Sequence, residues 1–341
     1  MSTIIPLRDF YHKLCKSIYS THRVAIFASV IATLLLLCTL SRQSVLVTEV
    51  SSFTRLAWDD SGLSLYDMTR RKLAAGLVSR NDSLLHYATI PLGEVTSHNV
   101  EGVPGGRWLK DNIDGLPNWE AQSFETFLLH AEGHDTYVDF GSWIGPTLFF
   151  CAQLFSRSFA VEADPVAYAS VFTTLQLNSD KIWSKRIKLQ PGGVGPGSEL
   201  DLKPVQVSMQ SASAGNSCSG MGSKVNCGEV KDHWKVNTYK LPALFQHWKI
   251  TGSNTFVKVD VEAFECALVP SWIPWLRGMS IKPTFFISFH AYVIYCTDEE
   301  YTRITEFAKL FKRVLNQKEE EVELLDSFEN LKGAALIFTD K

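Results

Sequence analysis

The sequence predicts a doubly wound α/β fold preceded by a single membrane-spanning helix, and two stretches carry that prediction. Residues 137–164 read YVDFGSWIGPTLFFCAQLFSRSFAVEAD: an apolar strand ending in Asp139, a glycine turn, an apolar helix, and a second strand ending in Glu162. That order of parts builds a ligand crevice at the carboxyl ends of parallel strands. Residues 24–41 are uncharged and flanked by Arg23 and Arg42, which suits a helix crossing a bilayer at the short end of the range.

Taken in order, Arg8, Lys13, Lys16 and Arg23 oppose only Asp9 before the span. The positive-inside rule then leaves residues 1–23 as a cytosolic tail, with 24–41 as an uncleaved signal anchor. A cleavable signal would need a shorter apolar core and a small-residue cleavage site. A short span suits the thinner endoplasmic reticulum or Golgi bilayer, giving a type II membrane protein with a lumenal domain. Residues 42–116 lack sustained periodicity and carry turn signals such as Pro91, Gly93, Pro104 and Gly105. They read as a stem that packs loosely on the domain or holds it off the membrane. Residues 117–341 form the α/β domain.

Within that domain a helix runs from about 118 to 131. It leads into strand 136–141, helix 146–154, strand 159–162, helix 165–178 and strand 186–190. Such alternation predicts a parallel sheet with right-handed crossovers. Residues 199–236, rich in Gly, Ser and Asn, read as an inserted hairpin and loop over the crevice. Helix 241–248, strand 255–261, a helix over 265–276 interrupted by Pro270 and Pro274, and strand 284–289 follow. Thr297 and Glu300 are spaced as a capping box for a helix running to about 315. Strands at 322–325 and 334–339 close the domain.

Composition narrows the function. A 45% hydrophobic share supplies a real core, and a net charge of −3 offers no basic footprint for nucleic acid. Of seven cysteines, Cys15 and Cys38 lie in the tail and span. Cys151, Cys266 and Cys296 sit in apolar runs as small buried thiols. Cys218 and Cys227 flank a loop that an oxidising lumen would close as a disulfide, the reading favoured here over free thiols. A glycosylation triplet at Asn81, Asp82 and Ser83 agrees with a lumen.

Gly141 and Gly145 allow a tight turn and close approach of backbone to a ligand, and the amides opening the next helix favour an anion. Glu162, ending the next strand, is placed to bond both ribose hydroxyls of a nucleoside. Asp139 stands where a dinucleotide fingerprint has its first glycine. Its charge repels a pyrophosphate and attracts the ammonium and sulfonium of S-adenosylmethionine, which is therefore the expected cofactor. Further on, the strand FVKV ends in Asp260, Glu262 and Glu265. Three carboxylates this close face solvent, a metal or a cationic ligand, or cap the next helix as a solvated turn.

These segments resemble the FkbM-type methyltransferase family. Asp139, Gly141 and Gly145 match its turn, and Glu162, Ala163, Asp164 and Pro165, with Asn178 at the helix end, match its second-strand pattern. Lys258, Asp260, Glu262 and Glu265 match its acidic signature. Ser142 and Trp143 replace the family's Ala and Asn, and Ala263 replaces a glycine. The resemblance, from residue 135 onward, implies S-adenosylmethionine-dependent O-methylation on a seven-stranded Rossmann-like methyltransferase sheet. Asp139, Gly141, Gly145, Glu162, Asp164 and Asn178 would then bind the cofactor. His290, which follows a strand, is the candidate base, against the plainer alternative of a hydrogen-bonded structural residue. Asp260 and Glu262 are rivals for orienting the acceptor or binding a divalent cation; no metal is required. The acceptor would be a small molecule, a glycan or a lipid. A non-catalytic binding module on the same fold is the second reading, for which Trp143 is the discriminating feature.

Overall fold

In the computed structural model the described residues are 85–90, 93–98, 105–113, 119–211, 219–221, 232–262, 264–290, 296–323 and 332–341. The expected span at 24–41, the glycosylation triplet, and Cys218 with Cys227 all lie outside them. Among the described residues no helix is long and apolar enough to cross a membrane.

A hairpin of β1 (Leu85–Ile90) and β2 (Gly93–His98) leads to α1 (Gly105–Ile113) and α2 (Ala121–Ala131). The expected alternation follows as β3 (Thr136–Phe140), α3 (Pro146–Leu154), β4 (Arg157–Glu162), α4 (Pro165–Leu177), the short α5 (Ile182–Lys185) and β5 (Ile187–Pro191). The insertion is a small sheet of β6 (Gly193–Gly195), β7 (Val205–Ser211), β8 (Gly220–Met221) and β9 (Asp232–Lys240). Next come α6 (Leu241–Trp248), β10 (Thr255–Val259), α7 (Glu265–Leu268), α8 (Ile273–Arg277), β11 (Thr284–His290), α9 (Asp298–Ala308), β12 (Arg313–Asn316) and β13 (Lys332–Thr339).

The main sheet has seven strands in the order β12-β13-β11-β10-β3-β4-β5. Strands β11, β10, β3, β4 and β5 run parallel, while β13 is antiparallel to both β11 and β12. The winding reverses between β3 and β10, and a doubly wound sheet leaves its crevice at that switch point. The strands are apolar on both faces because both faces are covered. Val138, Phe140, Val257 and Phe285 pack against Leu244, Trp272 and Phe307 on one side. Tyr137, Phe256 and Phe286 pack against Phe127 and Phe149 on the other.

Local chemistry sets the ends. Asp164 accepts from the amides of Val166 and Ala167 and so caps α4, with Pro165 behind it. Thr297 and Glu300 form the expected capping box. Pro270 and Pro274 split the helix over 265–277 into α7, a 3₁₀ turn and α8.

Two expectations are corrected. The helix after Thr297 stops at Ala308, because residues 313–316 form a strand whose Val314 pairs with Phe338 and whose Leu315 is buried. The penultimate described strand is therefore β12; of the expected strand 322–325, residues 322 and 323 are described and lie outside any strand, and 324 and 325 lie outside the described residues. Cys266 and Cys296 are joined as a disulfide, since they follow the carboxyl ends of the adjacent strands β10 and β11. Cys151 is the buried free thiol expected. Within residues 42–116, read as a stem that packs on the domain or holds it off the membrane, Val95, Leu109 and Ile113 are buried in the same cluster as Phe127 and Phe149.

Candidate active site

A cavity of about 390 Å³ opens at the carboxyl ends of β3, β4, β10 and β11, within the size range of small-molecule sites. Glu162, Asp164 and Gly141 line one part of it, and Asp260, Glu262 and His290 another. Val194, Met209 and Ser219 of the insertion wall it, as the loop reading expected. The sheet thus brings most of the expected residues together. Asp139, Gly145 and Asn178 are not among them.

Asp139 is fully buried. Its carboxylate meets the Lys258 ammonium at 3.2 Å and accepts from the hydroxyls of Tyr137 and Thr147. Burial works against the Lys258 charge, but Asp139 and Asp260 overrule it and hold the ammonium above the ordinary lysine range. Asp139 therefore sits in a buried ion pair outside the cavity lining. Asn178 closes α4: its amide donates to the Thr96 and Thr174 carbonyls and its Oδ1 accepts from the Thr96 amide. That side chain ties β2 to the domain instead of touching a ligand.

Glu162 is buried at the cavity wall. Its two oxygens accept the amides of Trp143 and Asp164, each at 2.7 Å. Burial nonetheless pushes its carboxyl up to about 8. With one amide on each oxygen, the carboxyl group keeps hydrogen-bonding capacity for a ligand. Asp164 splits its oxygens between the α4 cap and the Ser219 hydroxyl, which donates at 2.7 Å. Gly141 is required by packing: at φ +80° an added Cβ would stand 1.7 Å from the Asp260 carbonyl oxygen. Gly145, also left-handed, packs on the Phe149 ring.

At the other end, His290 is held by carboxylates on both ring nitrogens. Nδ1 lies 3.1 Å from Glu265, and Nε2 lies 3.4 Å from Asp260 and 3.8 Å from Glu262. Burial would lower its pKa, yet the Glu265 bond and the two other acids push it up to about 10. The three acids favour the protonated ring, an arrangement that suits the plainer expectation of a hydrogen-bonded residue. Burial raises Glu262 to about 7, which makes that carboxylate the group poised to accept a proton. Asp260, Glu265 and His290 bring potential ligand atoms within 4.8 Å of one another, with both ring nitrogens engaged by acids.

Sequence reasoning passed over several site residues. Ser142 is buried, lines the cavity, and its Oγ has no hydrogen-bond partner among the described residues. Lys258 was legible only as a motif match. Trp108, Trp119 and Glu120 come from segments with no motif at all. Five described non-glycine residues have left-handed φ, and Glu120, Trp143 and Glu262 of those line this cavity. Strained backbone of that kind concentrates at functional sites.

No protein-family model matches the chain, and no curated protein matches it. Solved structures that resemble it include the methyltransferase FkbM from Methylobacillus flagellatus, at 14% identity over 60% of this chain and 44% of that one, TM-score 0.36. An O-methyltransferase from Bacillus cereus in complex with SAH shows 13% identity over 67% and 85%, TM-score 0.34. The O-methyltransferase TomG from Streptomyces achromogenes, involved in tomaymycin synthesis and in complex with SAM, shows 9% over 71% and 88%, TM-score 0.36. The chain spans less than half the length of the first of these. Likenesses this distant add nothing to the strand order and the cavity, which stand on the chain's own residues.

Proposed function

We propose that this chain is an S-adenosylmethionine-dependent O-methyltransferase acting on a hydroxyl of a glycan or lipid, anchored by residues 24–41 with its α/β domain in the lumen of the endoplasmic reticulum or Golgi. The observation that carries the reading is one cavity at the switch point with Glu162 at one end and the near-neutral Glu262 at the other. The Cys266–Cys296 disulfide supports an oxidising compartment.

The cavity fits the cofactor by its donor set. Glu120, Glu162, Asp164, Asp260 and Glu262 outnumber Lys258 and His290 along its lining, a balance that favours a cationic ligand over a pyrophosphate. The remaining hydrogen-bonding capacity of Glu162 would take ribose hydroxyls. The orphaned Ser142 hydroxyl would donate to the amino-acid carboxylate. When bound, S-adenosylmethionine supplies an electrophilic methyl group on a sulfonium.

Glu262 would take the proton of the acceptor hydroxyl, whose oxygen it would hold toward the methyl group that the bound cofactor supplies. His290, already protonated, keeps Asp260 and Glu265 fixed and offsets the negative charge gathered at the oxygen. Trp143, the residue that favoured a non-catalytic module, packs edge-on to Trp108 and leaves the cavity open. The test is full-length protein in nanodiscs given methyl-labelled S-adenosylmethionine and membrane glycans or lipids. Label in an alkali-stable methyl ether is expected. The absence of any saturable cofactor binding would contradict the reading.

A further inference from the structure

We infer that Trp108, Trp119 and Trp143 are the acceptor subsite and that the acceptor is a saccharide whose ring stacks on this indole wall; the inference deepens the proposed methyl transfer and rests on it. The three indoles come from α1, the turn before α2, and the turn after β3. Their centroids lie 4.7 Å (Trp108 to Trp143), 5.0 Å (Trp108 to Trp119) and 6.2 Å (Trp119 to Trp143) apart, and all three line the cavity.

The neighbourhood is polar in a specific way. Glu120 follows Trp119 and lies close enough to Asp260, Lys258 and His290 to feel their charges. The wall therefore borders the Glu262 end of the cavity, where the proton is taken. A sugar ring has an apolar C–H face and an equatorial fringe of hydroxyls. Indole covers the first, and Glu120, Glu262 and the Asn112 amide accept from or donate to the second. An acyl chain would strip water from those same carboxylates and return no hydrogen bonds. Trp143 of the wall and Glu120, next to Trp119, both have left-handed φ.

Saturation-transfer NMR on full-length protein in nanodiscs tests this, with neutral methyl glycosides of glucose, galactose, mannose and N-acetylglucosamine as probes, with and without S-adenosylhomocysteine. The ring C–H protons should receive saturation. Trp108→Ala and Trp119→Ala should each weaken it by about fivefold or more, while affinity for S-adenosylhomocysteine is retained. No saturation of any of the four probes, saturation indifferent to both substitutions, or saturation of monoacylglycerol acyl or choline N-methyl protons instead, would overturn the assignment. Failure of the wild type to bind S-adenosylhomocysteine, beside an intact sugar signal, would overturn the cofactor reading and leave the indole subsite supported.

Discussion

Asp139 and Glu162 end neighbouring parallel strands, yet one is sealed inside the domain and the other opens onto the cavity. The difference lies in what stands beside each. Asp139 is in register with Lys258 on β10, so an ammonium meets it across the ladder and draws it inward. Glu162 is in register with Pro191 on β5, which has neither charge nor amide to offer. Its compensation comes from two turn amides, and these leave hydrogen-bonding capacity toward the cavity. A buried acid with a counter-ion becomes architecture, whereas one held only by backbone amides stays available to a ligand.

The largest expected effect breaks the sealed side. Asp139→Asn leaves Lys258 buried against Asp260 and one carbonyl, and should cost about 3–5 kcal/mol in urea unfolding. Were it as stable as wild type, the architectural role would be wrong. Next, the β10 and β11 tips are joined covalently. Replacing both Cys266 and Cys296 by alanine should lower stability by about 2–4 kcal/mol. It should also slow methyl transfer more than it weakens cofactor binding, because Glu265 and His290 adjoin the bridge. Equal effects on both would show that the bridge does not position this end of the site.

A pH profile sharpens the open side. The Glu162 pKa is raised from 4.5 to about 8 by burial, so its contribution to stability is fully present below about 4.5 and is lost as pH rises through 8. Glu162→Gln removes that loss. The melting temperature of wild type relative to the variant should fall between pH 4.5 and 8, and a constant difference would contradict the buried, proton-holding carboxyl.

Much of this was legible in the sequence. The strand and helix rhythm from 136 to 191 appears with its predicted bounds shifted by a residue or two, since apolar runs and turn signals act locally; here the signals are Gly145, Pro146, Asp164 and Pro165. The carboxylates at 162, 260 and 262 reach one cavity because strand ends in a parallel sheet share one edge. What remained hidden is contact between distant segments. Nothing near Asp139 announces that Lys258 will lie beside it in register. No local pattern separates the Cys266–Cys296 bridge from two buried thiols, or shows that Asn178 will bond Thr96. His290 looked like a base because a lone histidine titrates near neutrality, and nothing local shows the three acids that favour its protonated ring. The β12 strand was masked by a helical spacing of Phe307 and Phe311 that runs up to it.

Calorimetry of S-adenosylhomocysteine binding to Glu162→Ala and Asp139→Asn, side by side with wild type in nanodiscs, tests the central claim most directly. The account predicts that Glu162→Ala, with its fold checked by melting, loses roughly 2- to 12-fold in affinity for each hydrogen bond removed, while folded Asp139→Asn binds as wild type does. Retained affinity in the first, with loss in the second, would contradict it.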